Sequence, residues 1–245
     1  MPTAKEIRDL AWKRLGEGSW LSAVSGFALI YLLTMAVSMA LEKYGLANGW
    51  IQNLSLTDIL SQAKLLNADM ATAPEFEALD KITVPKPVFW YQQVMIWTQV
   101  FWQGILAFGG TVLAIAVIRG GANVQQTFCG FSRPFKTGWL AVLQSVLIGL
   151  WALLLVVPGF FAFYSYRMAY FLLADHPEWS AGQALAESKK LMRGHRWRLA
   201  CLDASFIGWM LLAWCTGGLG GIIVNPYIAS ANAAFYEDLL DRAEA

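Results

Sequence analysis

Arg167, Asp203 and Asn225 are the side chains whose chemistry stands out, because each lies inside an otherwise apolar stretch. A charge stranded at mid-membrane costs roughly 2.5 to 3.5 kcal/mol on insertion scales, so ionisable groups there are candidates for function. Arg167 falls about seven residues, or roughly 10 Å along a helix, below the cytoplasmic end of its apolar run. Asp203 falls about four residues, or roughly 6 Å, below the same end of the next run. The two depths allow the pair to meet. Two readings follow: a substrate or proton site joined by Asn225, Asn232 and Gln103, or an ion pair that locks helices together, with interhelical amide hydrogen bonds beside it.

A second set is basic. Lys189, Lys190, Arg193, Arg196 and Arg198 suit anionic lipid headgroups or contacts to a protein partner; basic flanks of this kind also mark any helix end on the cytoplasmic side. Asp175-His176 is an adjacent acid and imidazole, set in a turn that ends at Pro177 with no evident nucleophile or metal ligand beside it. No HExxH, GxSxG or Walker loop occurs, and Cys129, Cys201 and Cys215 lack CxxC spacing. No catalytic residue, cofactor or metal site is therefore expected, and the chain reads as non-enzymatic.

The elements that carry these groups are written in lipid-soluble residues. Of 245 residues, 57% are hydrophobic and 14% charged, too apolar for an ordinary soluble domain of this length. A net charge of +1 argues against a nucleic-acid partner. The run 138–174 would be roughly 55 Å long as one helix, nearly twice a bilayer core, so a reversal is expected at Pro158-Gly159. The expected fold is all-α and polytopic, a single integral membrane domain with six spans at 20–41, 94–118, 138–157, 159–174, 199–216 and 219–236. The first run is too long for a signal-peptide core and reads as an uncleaved span. Segments 1–19, 119–137, 175–198 and 237–245 carry thirteen Lys and Arg against four in the longer 42–93, which puts both termini in the cytoplasm of a bacterial plasma (inner) membrane. Two full crossings at 138–174 are favoured over a re-entrant hairpin, which would satisfy the same count.

Outside the bilayer, Ser180 with Gln183 signals a cytoplasmic helix that Gly194 stops. Ala181, Ala184, Leu185, Ser188, Leu191 and Met192 share one of its sides, and Gln183, Glu187, Lys189, Lys190 and Arg193 the other. It would lie on the inner leaflet or pack under the bundle. Thr3 and Glu6 suggest a second capping box before a short interfacial helix. The external segment 42–93 holds one amphipathic helix around Leu56, Ile59, Leu60, Ala63 and Leu66, then an extended Val84-Pro85-Lys86-Pro87. Trp20, Trp139, Trp197, Trp90 and Tyr91 are placed as interfacial anchors, and glycines 217, 218, 220 and 221 as a turn.

From Gly138 onward the residues carry a resemblance. They are Leu150-Trp151, Pro158-Gly159, Ala174-Asp175-His176-Pro177, Ala184-Leu185, Ser188, Leu191-Met192-Arg193-Gly194-His195-Arg196-Trp197, Ser205-Phe206-Ile207-Gly208-Trp209, Pro226-Tyr227 and Ala234-Phe235-Tyr236-Glu237. In this order they resemble a bacterial integral membrane family, domain of unknown function nine hundred and seventy-five. Arg196 stands where Lys is usual, and Asn225 where an apolar residue is usual. The family is more distantly similar to the membrane region of glycerophosphodiester phosphodiesterases, which implies a link to lipid metabolism. No catalytic residues carry over. The expected function is a non-enzymatic accessory or organising module that contacts membrane lipids or a protein partner. The alternative is a small-solute or lipid transporter or binding protein with its site near Arg167, Asp203 and Asn225.

Overall fold

The structure is a computed structural model describing residues 3–55, 83–87, 89–216 and 220–244. The amphipathic helix expected around 56–66 and glycines 217 and 218 lie outside the described residues. Two compact units divide the chain: Met1–Thr34 with Val100–Ala245, and Met35–Gln99.

In the first unit, helix α1 (Ala4–Arg14) starts on a complete capping box. The Glu6 amide donates to Thr3 Oγ1 at 3.3 Å, and the Thr3 amide donates to Glu6 Oε2 at 2.7 Å. A π turn (Leu15–Ser19) then kinks the chain at Gly18, whose φ of 96° is glycine territory, before α2 (Trp20–Ala47) begins. Helix α3 (Phe89–Arg119) is followed by a 3-10 segment (Val124–Ser132) and α4 (Pro134–Leu154). Glycine lets α3 touch the 3-10 segment backbone to backbone: a Cβ on Gly109 would lie 1.9 Å from the Thr127 carbonyl oxygen, and one on Gly130 2.0 Å from that of Ile105.

The long apolar run breaks at Leu155, whose backbone is extended (φ −166°, ψ 146°), and α5 (Val156–Tyr166) starts there. The break expected at Pro158-Gly159 thus comes three residues earlier. Proline is tolerated in the first turn of a helix, where its missing N–H bonds nothing, so Pro158 opens α5 rather than ending α4. The two helices close up at Gly159, where a Cβ would stand 2.8 Å from Ala152 Cα. Further along, Leu140 of α4 packs with Ala162 and Tyr166.

Two further helices expected to be continuous are broken. Arg167-Met168 separates α5 from α6 (Ala169–Asp175), so no single helix covers 159–174. After α7 (Ala181–Leu191), Ser205-Phe206 separates α8 (Arg196–Ala204) from α9 (Ile207–Cys215) with a 41° bend. The last helix, α10 (Gly221–Glu244), runs through Pro226. Among the described residues, three helices are long and apolar enough to cross a membrane: the run Ala4–Ala47, α3 and α4. The α8–α9 pair makes a fourth if it is one span. The six apolar runs of the sequence therefore give three or four such helices, because α5 and α6 are short pieces and α10 is diluted by polar residues.

The core joins both ends of the chain. Ile7 and Ala11 of α1 are buried with Ile115, Met168, Leu199, Leu202, Phe235 and Tyr236. Helix α7 begins on the Ser180–Gln183 capping box and buries Ala181, Ala184, Leu185 and Ser188. The Ser188 hydroxyl donates to the Ser165 carbonyl at 2.8 Å, so this helix packs on protein. In the second unit, strands β1 (Ile51–Ser55) and β2 (Thr83–Pro87) pair antiparallel, with Asn53 opposite Pro85. The extended segment at 84–87 is thus a strand of a small ladder, whose free edges accommodate proline. Trp50 packs edge-on to Tyr44 and Trp90. Tyr91 is buried rather than interfacial, its hydroxyl donating to the Leu41 carbonyl.

Candidate functional site

Arg167 and Asp203 line one cavity of about 620 Å³ in the first unit, with Phe160, Tyr164, Phe206 and Met210 among its walls. The α5–α6 break puts Arg167 at the end of α5, where its guanidinium sits 5.3 Å from the centroid of the Phe163 ring. Asp203 is the penultimate residue of α8. Among the described residues the two form no ion pair within 4.0 Å. Arg167 also lines a second cavity, about 280 Å³, with Gln144 and Asn232. The buried Oε1 of Gln144 lacks a hydrogen bond. Asn225 lines neither cavity: it is exposed, one turn from Gly221, so the structure does not join it to Arg167 and Asp203. Gln103 is likewise exposed and outside both.

The five basic candidates separate by their contacts. Lys190 pairs with Glu187 at 2.6 Å on its own helix. Arg198 pairs with Asp238 at 2.9 Å and lies over the Phe235 ring. Arg193 is exposed. Lys189 and Arg196, from the end of α7 and the start of α8, line a third cavity of about 310 Å³ beside Trp151, Pro158, Phe161 and Ser165. The Nε of Arg196 is buried there without a hydrogen-bond partner.

Around Asp238 and His195, electrostatics follow the packing. Burial pushes the Asp238 carboxyl up, but hydrogen bonds from Arg242 and Arg198, with their charges, outweigh it and hold it below the usual carboxylate range. For His195, burial and then the positive charges of Arg198 and Arg242 push the imidazole down against the pull of Asp238.

Asp175 and His176 do not act together. The Asp175 carboxylate takes both Nη groups of Arg119, at 2.9 and 3.0 Å, while Arg119 Nε reaches Glu237 at 2.8 Å. His176 instead stacks on Trp179 at 4.1 Å and meets Glu178 at 3.2 Å. Arg133 and Lys136 both donate to the Pro177 carbonyl, fixing this turn from the start of α4. The Arg119–Asp175–Glu237 cluster is a feature that sequence reasoning missed. Its signal was present: Arg119, Asp175 and Glu237 each stand one residue past the end of an apolar run. Among the described residues, no three His, Cys, Asp or Glu side chains gather as a metal cluster would require.

Three helices, or four with the α8–α9 pair, that are long and apolar enough to cross a membrane support a helical membrane protein as the class. Residues 139–243 match the family described as "Protein of unknown function (DUF975)", and every motif behind the resemblance falls within that stretch. No curated protein and no solved structure matches the chain, so the more distant likeness to the phosphodiesterase membrane region has no support.

Proposed function

We propose that the chain is a multi-pass protein of the bacterial plasma (inner) membrane with both termini cytoplasmic and 138–174 re-entering from the cytoplasmic side, acting without catalysis as an accessory module that holds anionic inner-leaflet lipid. The observation that carries this reading is the groove where Lys189 and Arg196 converge beside Trp151, Pro158 and Phe161. Two cations lining one groove suit a phosphate, and its apolar lining suits an acyl chain. The buried, unpartnered Arg196 Nε supplies a motive, since an unsatisfied polar group of this kind costs about 1–3 kcal/mol.

Thirteen basic residues against four support the orientation. Pro158 lining the same groove as Lys189 and Arg196 supports a re-entrant course for α4 with α5 and α6 over two full crossings, which satisfies the same charge count. Single cysteines at Ser61, Pro158, Ser180 and Gly218 of a cysteine-free chain test the topology in intact cells. The expected result is labelling from outside at Ser61 and Gly218, with Pro158 and Ser180 protected. Labelling at Pro158 would mean two full crossings at 138–174 and end the inner-leaflet groove. For the groove, Lys189→Gln with Arg196→Gln is expected to lower phosphatidylglycerol retention by the purified protein at least tenfold, whereas Lys190→Gln leaves it unchanged. Equal retention by both variants would remove the lipid-holding role.

A transporter or binding protein is the second reading. It is favoured by Arg167 and Asp203 sharing a cavity at two helix breaks.

A further inference from the structure

We propose that the 620 Å³ cavity between the two helix breaks binds a zwitterionic phospholipid with a primary ammonium, its ammonium at Asp203 and its phosphate at Arg167. This deepens the binding-protein reading and is independent of the Lys189 and Arg196 groove.

The charges come first. One cation and one anion face the same cavity, yet neither neutralises the other by contact, and the rest of the wall is largely aromatic and aliphatic. Their separation is set by backbone: Arg167 belongs to the α5–α6 break, and Asp203 stands two residues before the α8–α9 break. The second break is braced from outside, because Arg8 Nη1 of α1 donates to the Ser205 carbonyl at 3.2 Å. An anionic lipid would satisfy Arg167 and set its charge against Asp203. A cationic amine would do the reverse. A zwitterion satisfies both and brings no net charge into a poorly solvated space.

The walls then choose between a lipid and a soluble zwitterion. Phe160, Phe163, Ile207 and Met210 line the cavity and are among the exposed large hydrophobics, so it opens sideways through apolar surface. An acyl chain can leave by that route. A volume of about 620 Å³ takes a headgroup and the first carbons of its chains. The headgroup type follows from donors and acceptors. A primary ammonium has three N–H donors for the Asp203 carboxylate and the Tyr164 hydroxyl; a quaternary one has none. The planar guanidinium of Arg167 suits a phosphate.

The test is native mass spectrometry of the full chain in detergent micelles, titrated with phosphatidylethanolamine, phosphatidylglycerol or phosphatidylcholine. Phosphatidylethanolamine is expected to be retained at least tenfold better than the other two. Asp203→Asn should erase that preference, and Arg167→Gln should lower retention of phosphatidylethanolamine at least tenfold. Ala204→Trp, at an exposed position on the cavity wall, should block binding without moving the melting temperature, which keeps the proposal testable if a charge variant does not fold. Lys189→Gln with Arg196→Gln should leave phosphatidylethanolamine retention unchanged, so failure of the groove reading and failure of this one are distinguishable. The proposal is overturned if the wild-type chain retains all three lipids equally, if Asp203→Asn keeps the preference, or if free phosphoethanolamine competes at the lipid's own concentration.

Discussion

The Tyr236 hydroxyl donates to Asp175 Oδ2 at 2.9 Å, so one carboxylate at the end of α6 holds both α10 and, through Arg119, the end of α3. The Arg119 side chain is 47% exposed, and its pairing alone is worth no more than about 1 kcal/mol. Tyr236 is fully buried, and losing its acceptor costs about 1–3 kcal/mol more. Asp175→Ala is therefore expected to destabilise by about 2–3 kcal/mol and Tyr236→Phe by about 1. Thermal unfolding of the two variants in detergent checks the order; equal losses would mean that Arg119 gains nothing from Asp175.

Replacing Gly109 by alanine drives a methyl group into the Thr127 carbonyl, backbone against backbone, with no side chain free to move aside. We expect a loss of more than about 3 kcal/mol, or no folded protein. Gly149→Ala is the control, since nothing lies within 4 Å of the new methyl. It should be neutral or slightly stabilising by helix propensity. The folded fraction after extraction, read by size exclusion and melting, separates the two.

Acid stability should respond to His195. Its folded imidazole is pushed down by burial and by Arg198 and Arg242, with Asp238 opposing, so the unfolded chain binds a proton that the folded one resists. Stability should thus fall as pH drops below about 6.5, until the folded group also protonates. Asp238 acts lower on the scale. Its carboxyl is depressed, so its contribution is present above the ordinary carboxylate range and lost as pH falls through the folded value. His195→Gln should flatten the melting-temperature profile between about pH 5 and 7 and leave the steeper acid limb in place. A profile unchanged in that window would assign the slope to other groups.

Ser188→Ala tests how firmly α7 is seated. The variant leaves the Ser165 carbonyl without its hydroxyl donor at 2.8 Å. A loss of about 1 kcal/mol is expected, with topology unchanged. Protease sensitivity within 180–194 should rise in step with the loss; no change would mean that apolar packing alone seats the helix.

Local signals in the chain were the readable ones. The capping boxes at Thr3 and Ser180 need only residues three apart, and both form as written. Arg167 and Asp203 line one cavity, although Arg167 lies in a helix break that counting residues along one helix does not anticipate. Asn225 misled because height says nothing of which way a residue faces, and it stands exposed near the start of α10. The breaks at Arg167-Met168 and Ser205-Phe206 contain neither proline nor glycine, so no local residue announces them. The pairing of Arg119 with Asp175 and Glu237 crosses 56 and 118 residues of sequence, and their shared place past apolar runs does not say which run ends meet.

Helix α1 is synthesised well before the helix it packs against. Its partners Phe235, Tyr236 and Leu239 belong to α10, and Arg8 waits for Ser205. At roughly 5–20 residues per second, about 10 to 40 s of synthesis separate the two helices, during which Ile7 and Ala11 lack the cover of Phe235, Tyr236 and Leu239. The nascent chain must therefore keep its first apolar face occupied by the translocation machinery, a chaperone or the bilayer surface until its final helix arrives. A ribosome stalled before α10 would leave the N-terminal helix open to proteolysis throughout.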